Sequence, residues 1–199
     1  DGKANQYFLR GFNLDHGTDF ATRVDGIPVN MPTHAHGQGY SDINFLIPEL
    51  VEKVRYRKGT YFADEGNFSA AGAADIAYRR NLDSSLASLT VGEDDYYRAL
   101  IAGAPEIGGG TLLGALDYST ADGPWDLPQE FRKVNGLAKY SRGATDRGFT
   151  VTAMGYDGRW DSTDQIPQRA VGGDCAQIPF CISRFGTVDP TSGGESHRY

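Results

Sequence analysis

From residue 85 to residue 160 the chain alternates apolar and polar side chains, and that period of two constrains its fold more than any other feature. Successive side chains of a strand point to opposite faces, so the pattern predicts strands with two chemically different sides. Segment 85–93 places Ala87, Leu89 and Val91 together, and 97–103 groups Tyr97, Ala99 and Ile101. In 111–121, Leu112, Gly114, Leu116 and Tyr118 oppose Thr111, Asp117 and Ser119. In 131–142, Val134, Gly136, Ala138 and Tyr140 oppose Lys133, Asn135 and Lys139. The stretch 149–160 opens with Phe149, Val151 and Ala153 alternating with Thr150 and Thr152. Each segment is near the roughly 9–11 residues that a tilted membrane strand needs.

Two architectures give this alternation: an outer-membrane β-barrel, or the antiparallel sheet of a soluble β-sandwich. Link lengths fit the barrel, but pattern alone weighs the two about equally, and the motifs upstream tip the choice. Segments 94–96, 105–109 and 143–148 are short, whereas 122–130 is longer and 162–194 is very long. Short turns at one end and long loops at the other are a barrel habit. Aromatic residues also gather near strand ends, with Tyr96, Tyr118, Trp125, Phe131 and Trp160 at one level and Tyr140 and Phe149 at the other. A composition with 26 glycines, 11 tyrosines and 10 phenylalanines suits strands better than helices. The net charge of -7 supplies no basic field for a nucleic acid. No apolar run approaches the 18 residues of a membrane helix, which leaves strand-built membrane proteins open.

Ahead of that region stand four short signatures: Leu9-Arg10-Gly11, Val24-Asp25-Gly26-Ile27-Pro28, the charged strand VEKVRYRKG at 51–59, and the small-residue run AGAADI at 71–76. In this order and spacing they resemble the plug domain of TonB-dependent outer-membrane receptors. The resemblance implies a β fold: the C-terminal part of a plug domain over 1–80, then over 81–199 the first strands of an incomplete 22-stranded transmembrane β-barrel with a long extracellular loop at 162–194. It implies a receptor of the Gram-negative outer membrane that takes up a scarce nutrient, such as a ferric siderophore or other metal complex. Its implied partners are TonB with ExbB and ExbD, the small-molecule or metal-complex substrate and outer-membrane lipid. No signal peptide opens the sequence, and the closing ESHRY segment at 195–199 reads as the opening of another strand, so an internal piece of a longer receptor is expected.

In that family, arginines of the R-G and R-G-P signatures pair with barrel glutamates and lock the plug. Arg10 matches the first position. Lys58 stands where the second arginine is usual and Thr60 where the proline is usual, so the lock is expected at Arg10 and Lys58, with Arg57 as substitute. Lysine has no planar fork for bidentate pairing. Solvated strand charge is the competing reading of these positions.

The loop at 30–42 is rich in Pro, Gly and His and has no periodicity. The resemblance places such plug loops at the top of the lumen, facing substrate, and so implies His34, His36, Gln38 and Tyr40 as substrate-path residues, against a purely structural polar loop. As alternating strand residues, with His16 in the same region, His34 and His36 could point the same way and bind a metal, but two histidines alone do not make a site and a third ligand is required, so no metal centre and no cofactor are expected. Cys175 and Cys181 close a short loop that would gain roughly 2–3 kcal/mol from a disulfide; two unpaired thiols are the alternative. No catalytic residue is expected. Ser69 lacks the G-x-S-x-G frame, and the glycines of 106–111 lack the lysine of a phosphate-binding loop. The reading from another class is a secreted all-β enzyme or carbohydrate-binding module that uses the H-x-H loop.

Overall fold

The computed structural model describes residues 5–144, 146–161, 166–171 and 182–199. These fold mostly as strands in two compact units, divided between Leu82 and Asp83.

The N-terminal unit begins with a hairpin, β1 (Phe8–Leu9) and β2 (Phe12–Asn13). It turns at Arg10 and Gly11, with φ of 53° and 82°. Two left-handed residues in succession make the turn whose twist matches flanking strands, which is why the pair is Arg-Gly. The same device recurs at Asp25-Gly26 (φ 49° and 82°), joining β3 (Phe20–Val24) to β4 (Ile27–Pro28). Asp25 also works at a distance, as its Oδ1 accepts the Tyr78 N–H at 3.0 Å.

β3 and β4 belong to a four-stranded sheet completed by β5 (Val51–Lys58) and β6 (Gly72–Tyr78), in the order β4-β3-β6-β5. β3 and β6 run parallel, Phe20 beside Gly72 and Val24 beside Ile76, while β5 pairs antiparallel with β6. The small residues of β6 have a steric reason: a Cβ at Gly72 would run into the Arg57 carbonyl of β5. Ala73 and Ala74 are buried behind it. The core gathers Val24, Val29, Phe45, Ile47, Leu50, Ile76 and Tyr78. The Tyr78 hydroxyl accepts the Ile47 N–H at 3.3 Å, and burial pushes its pKa up to about 12. β5 is the sheet edge, so Val54 and Tyr56 stay exposed.

The C-terminal unit is one antiparallel sheet. Its strands are β7 (Leu86–Val91), β8 (Tyr97–Gly103), β9 (Glu106–Ile107), β10 (Gly110–Ala121), β11 (Phe131–Gly143), β12 (Gly148–Asp161) and β13 (Gly193–Arg198). The order is β13-β12-β11-β10-β8-β7, with the short β9 also on β10. The five strands expected from alternation are present within one or two residues of their expected ends, β13 falls on the closing ESHRY segment expected to open another strand, and β9 is an addition. The sheet is open, with β7 and β13 at its edges.

Register assigns the two faces. One carries Leu89, Val91, Tyr97, Ile101, Leu116, Tyr118, Val134, Phe149 and Val151, every one of them exposed. The other face buries Asp117, Ser119, Asn135, Lys139 and Ser141 beside Leu100, Leu113, Leu137 and Tyr156. Asp117 is only 1% exposed. Its carboxylate accepts from Arg98 Nε at 2.6 Å and from Asn135 Nδ2 at 3.4 Å, with Lys133 Nζ 3.9 Å away. Charged and polar groups are buried beside a few apolar ones while the opposite face exposes large hydrocarbon side chains, the reverse of a sandwich built for water.

Candidate functional site

The Pro/Gly/His loop of the N-terminal unit closes at its base, where the Met31 N–H donates to Tyr40 O and the Gly39 N–H to Met31 O, both at 2.8 Å. Asn30 sits beneath it, buried at the end of the β3–β4 hairpin. Its Oδ1 accepts the Thr22 N–H at 2.7 Å. Its Nδ2 lies 3.0 Å from Gly17 O, 3.0 Å from Phe20 O and 2.8 Å from Gly39 O. One amide therefore ties the strand, the Asp15–Gly17 turn and the loop together. The Ser41 N–H completes the join by donating to His16 O at 2.8 Å.

That stitching gathers the imidazoles. His34 stacks on Tyr40 with ring centroids 3.8 Å apart, and His16 meets His36 edge-on at 4.5 Å. Tyr40 is also 5.9 Å from His16 and 6.0 Å from His36. The H-x-H pair is not two strand residues pointing the same way. It is a tight turn in which His34 Nδ1 accepts the His36 N–H at 3.2 Å. His36 Nε2 lies 3.5 Å from Asp15 Oδ1. Asp15 and His16 both have left-handed backbones, with φ of 42° and 60°, a conformation uncommon for residues other than glycine. His16 is buried, its Nδ1 3.1 Å from Asn5 O and its Nε2 3.1 Å from Gln6 Nε2.

Of the four loop residues expected on the substrate path, His34, His36 and Tyr40 come together, and Gln38 is exposed on the same loop. Sequence reasoning named His16 as a neighbour and missed Asp15 and Asn30. Asp15, His16 and His36 bring one donor atom each to within 4.8 Å of one another, a set able to hold a metal ion.

Comparison with known proteins gives this geometry a context. Residues 1–73 match the family model described as the TonB-dependent Receptor Plug Domain. Over those residues the chain is a TonB-dependent receptor plug. Two solved structures share the fold of plug followed by barrel strands. One is the pyoverdine outer membrane receptor FpvA from Pseudomonas aeruginosa bound to pyoverdine, at 19% identity and a TM-score of 0.54, covering 78% of this chain and 22% of that one. The other is the FrpB iron transporter from Neisseria meningitidis in its apoprotein form, at 15% identity and a TM-score of 0.55, covering 83% of this chain and 28% of that one. The chain thus spans between a fifth and a third of the length of the receptors it resembles.

Within the plug, the three expected lock residues have different surroundings. Arg10 is exposed in the first hairpin turn. Lys58 is exposed at the end of β5, its ammonium 5.5 Å from the Tyr56 ring. Arg57 is engaged inside the plug: Nη1 donates to both Asp64 oxygens at 2.7 and 2.8 Å, lies 3.2 Å from Glu65 Oε1, and its guanidinium covers the Phe62 ring at 4.7 Å. The Glu65 side chain is only 5% exposed and is also held by Arg23, which in turn donates to Asp75 at 3.0 Å. The Arg57 hydrogen bonds hold the Asp64 carboxyl below the usual carboxylate range, and Asp64 raises Arg57 in return. The cysteine pair, Cys175 and Cys181, lies outside the described residues.

Proposed function

We propose that this chain is part of a TonB-dependent receptor of the Gram-negative outer membrane, which binds a scarce nutrient such as a ferric siderophore or another metal complex and admits it actively. The strand region is the beginning of the membrane barrel, and 162–194 contributes its extracellular loop. Arg10 and Lys58, both exposed, are the contacts toward barrel carboxylates, and Arg57 shapes the plug through Asp64 and Glu65. The His34, His36, Gln38 and Tyr40 loop lines the substrate path. Energy arrives through TonB with ExbB and ExbD, and the work is a ligand-coupled change of conformation, with no bond broken in the substrate.

What carries this reading is the inverted sheet that follows a plug: nine large apolar side chains face outward while Asp117, Asn135 and Lys139 are buried. A secreted enzyme or carbohydrate-binding module would have no use for that hydrocarbon face, whereas a bilayer covers it.

Leu116, 56% exposed, makes the test. In lipid, Leu116→Arg removes about 2–4 kcal/mol of stability near the bilayer midplane. In a water-soluble sandwich the same exposed change stays within about 0.5 kcal/mol. Urea unfolding of the protein in lipid vesicles distinguishes the two, and a neutral result overturns the membrane assignment. For transport, deletion of the protein or of TonB should each abolish accumulation of the iron complex by cells; uptake that persists without TonB refutes the mechanism.

A further inference from the structure

We propose that Asp15, His16 and His36 form a site for a divalent transition-metal ion of the zinc and cobalt class. The proposal goes beyond the receptor reading and does not depend on it, because it concerns an ion held by the plug's own side chains.

The donor atoms are near the required separation. Zinc–nitrogen and zinc–oxygen bonds of about 2.0–2.1 Å in a tetrahedral shell put ligand atoms about 3.3 Å apart. His36 Nε2 and Asp15 Oδ1 are already 3.5 Å apart, and all three donors fall within 4.8 Å. Closure needs a movement of about an ångström. The exposed Asp15 side chain can supply it.

The histidine that anchors the set is prepared electronically. The Asn5 carbonyl is only an acceptor, so the His16 nitrogen facing it at 3.1 Å, Nδ1, carries the proton. That leaves Nε2 with the lone pair a metal would take, which accepts from the Gln6 amide at 3.1 Å. A backbone carbonyl on the far nitrogen is the usual outer support of a metal-binding histidine, because it fixes tautomer and ring orientation. Metal binding asks the Gln6 side chain to swing away from Nε2.

The second histidine is held by its neighbour. His34 spends its Nδ1 on the His36 backbone N–H and its ring face on Tyr40, so it positions His36 and is not itself a ligand. The left-handed backbones of Asp15 and His16 place consecutive side chains where an ordinary extended chain would separate them. Two imidazoles and one carboxylate suit zinc, cobalt, nickel or copper; calcium and magnesium require mostly oxygen ligands. Three protein ligands leave at least one position for water or for a donor group of an incoming molecule.

Cobalt(II) is the probe, because a four- or five-coordinate cobalt site with imidazole ligands absorbs strongly in the visible and the bare hexa-aqua ion does not. The whole chain, folded in detergent micelles, is titrated with cobalt chloride and back-titrated with zinc. One equivalent should develop the band and zinc should abolish it. Asp15→Asn and His36→Ala alter accessible side chains, and asparagine tolerates the left-handed backbone at 15. Each should weaken cobalt binding at least about tenfold. His197→Ala, in the other unit, should leave the band unchanged. A wild-type titration with no visible band, or a band that survives both plug substitutions, overturns the proposal. Loss of the band on His197→Ala alone would move the site elsewhere and overturn it equally.

Discussion

Asn30 offers the most direct test of how the plug assembles its loop. Its side chain is buried and meets four backbone groups: the Thr22 N–H and the carbonyls of Gly17, Phe20 and Gly39. An amide has two N–H bonds, so two carbonyls are served fully at any moment, and with the Thr22 bond three hydrogen bonds are at stake. At about 1 kcal/mol each, Asn30→Ala should cost about 3 kcal/mol. Tenfold in an equilibrium is 1.4 kcal/mol, so the local opening constant should rise roughly 100-fold. Hydrogen–deuterium exchange read by mass spectrometry over peptides spanning 14–41 measures that opening in the whole protein. Asn30→Asp sharpens the test. It keeps the acceptor for Thr22 but sets a carboxylate against three carbonyl oxygens, so it should open the loop at least as much as alanine. Exchange of Asn30→Ala within about threefold of wild type, well short of that expectation, would refute the reasoning, as would an aspartate variant milder than the alanine one.

Two further outcomes follow from the charged clusters. Asp117→Ala removes the carboxylate that Arg98 meets at 2.6 Å on the buried face of the strand sheet and should cost about 3 kcal/mol; Arg98→Ala with Asp117→Ala should cost less than the sum of the single losses, as urea unfolding of all three proteins would reveal. In the plug, Arg57 depresses the Asp64 carboxyl below its ordinary 3.8, so the folded state binds that proton more weakly than the unfolded chain. The stabilisation is therefore present above 3.8 and lost as pH falls through the lower folded value, and Asp64→Asn should flatten that part of the stability–pH curve.

The strands were legible because alternation is a local signal and each run was long enough to repeat it. The two-residue β9 carries too few residues for a period to register. The Asp25-Gly26 turn was readable for a similar reason, since left-handed backbone advertises itself through glycine, whereas Arg10-Gly11, expected as part of a strand, is itself a turn. The site was half legible. His34 and His36 stand out by spacing, but Asp15 reaches His36 across 21 residues of chain through a turn that has no sequence pattern. Asn30 looked like an ordinary polar residue at a hairpin's end, because its partners are backbone carbonyls, which every residue has. Arg57 drew attention as a possible outward contact, while the Asp64-Glu65 pair that holds it sits in a connecting segment without periodicity.

The parallel pairing of β3 with β6 has a consequence for how this plug comes into being. Phe20 cannot find Gly72 until some fifty intervening residues have been synthesised, and that wide circle must be drawn closed before the central strand has a floor on that side. The family match ends at residue 73, one step into β6, so a cut at that border would sever the ribbon on which β3 rests. Only after Tyr78 emerges, with its backbone ready for Asp25, can the knot be drawn tight.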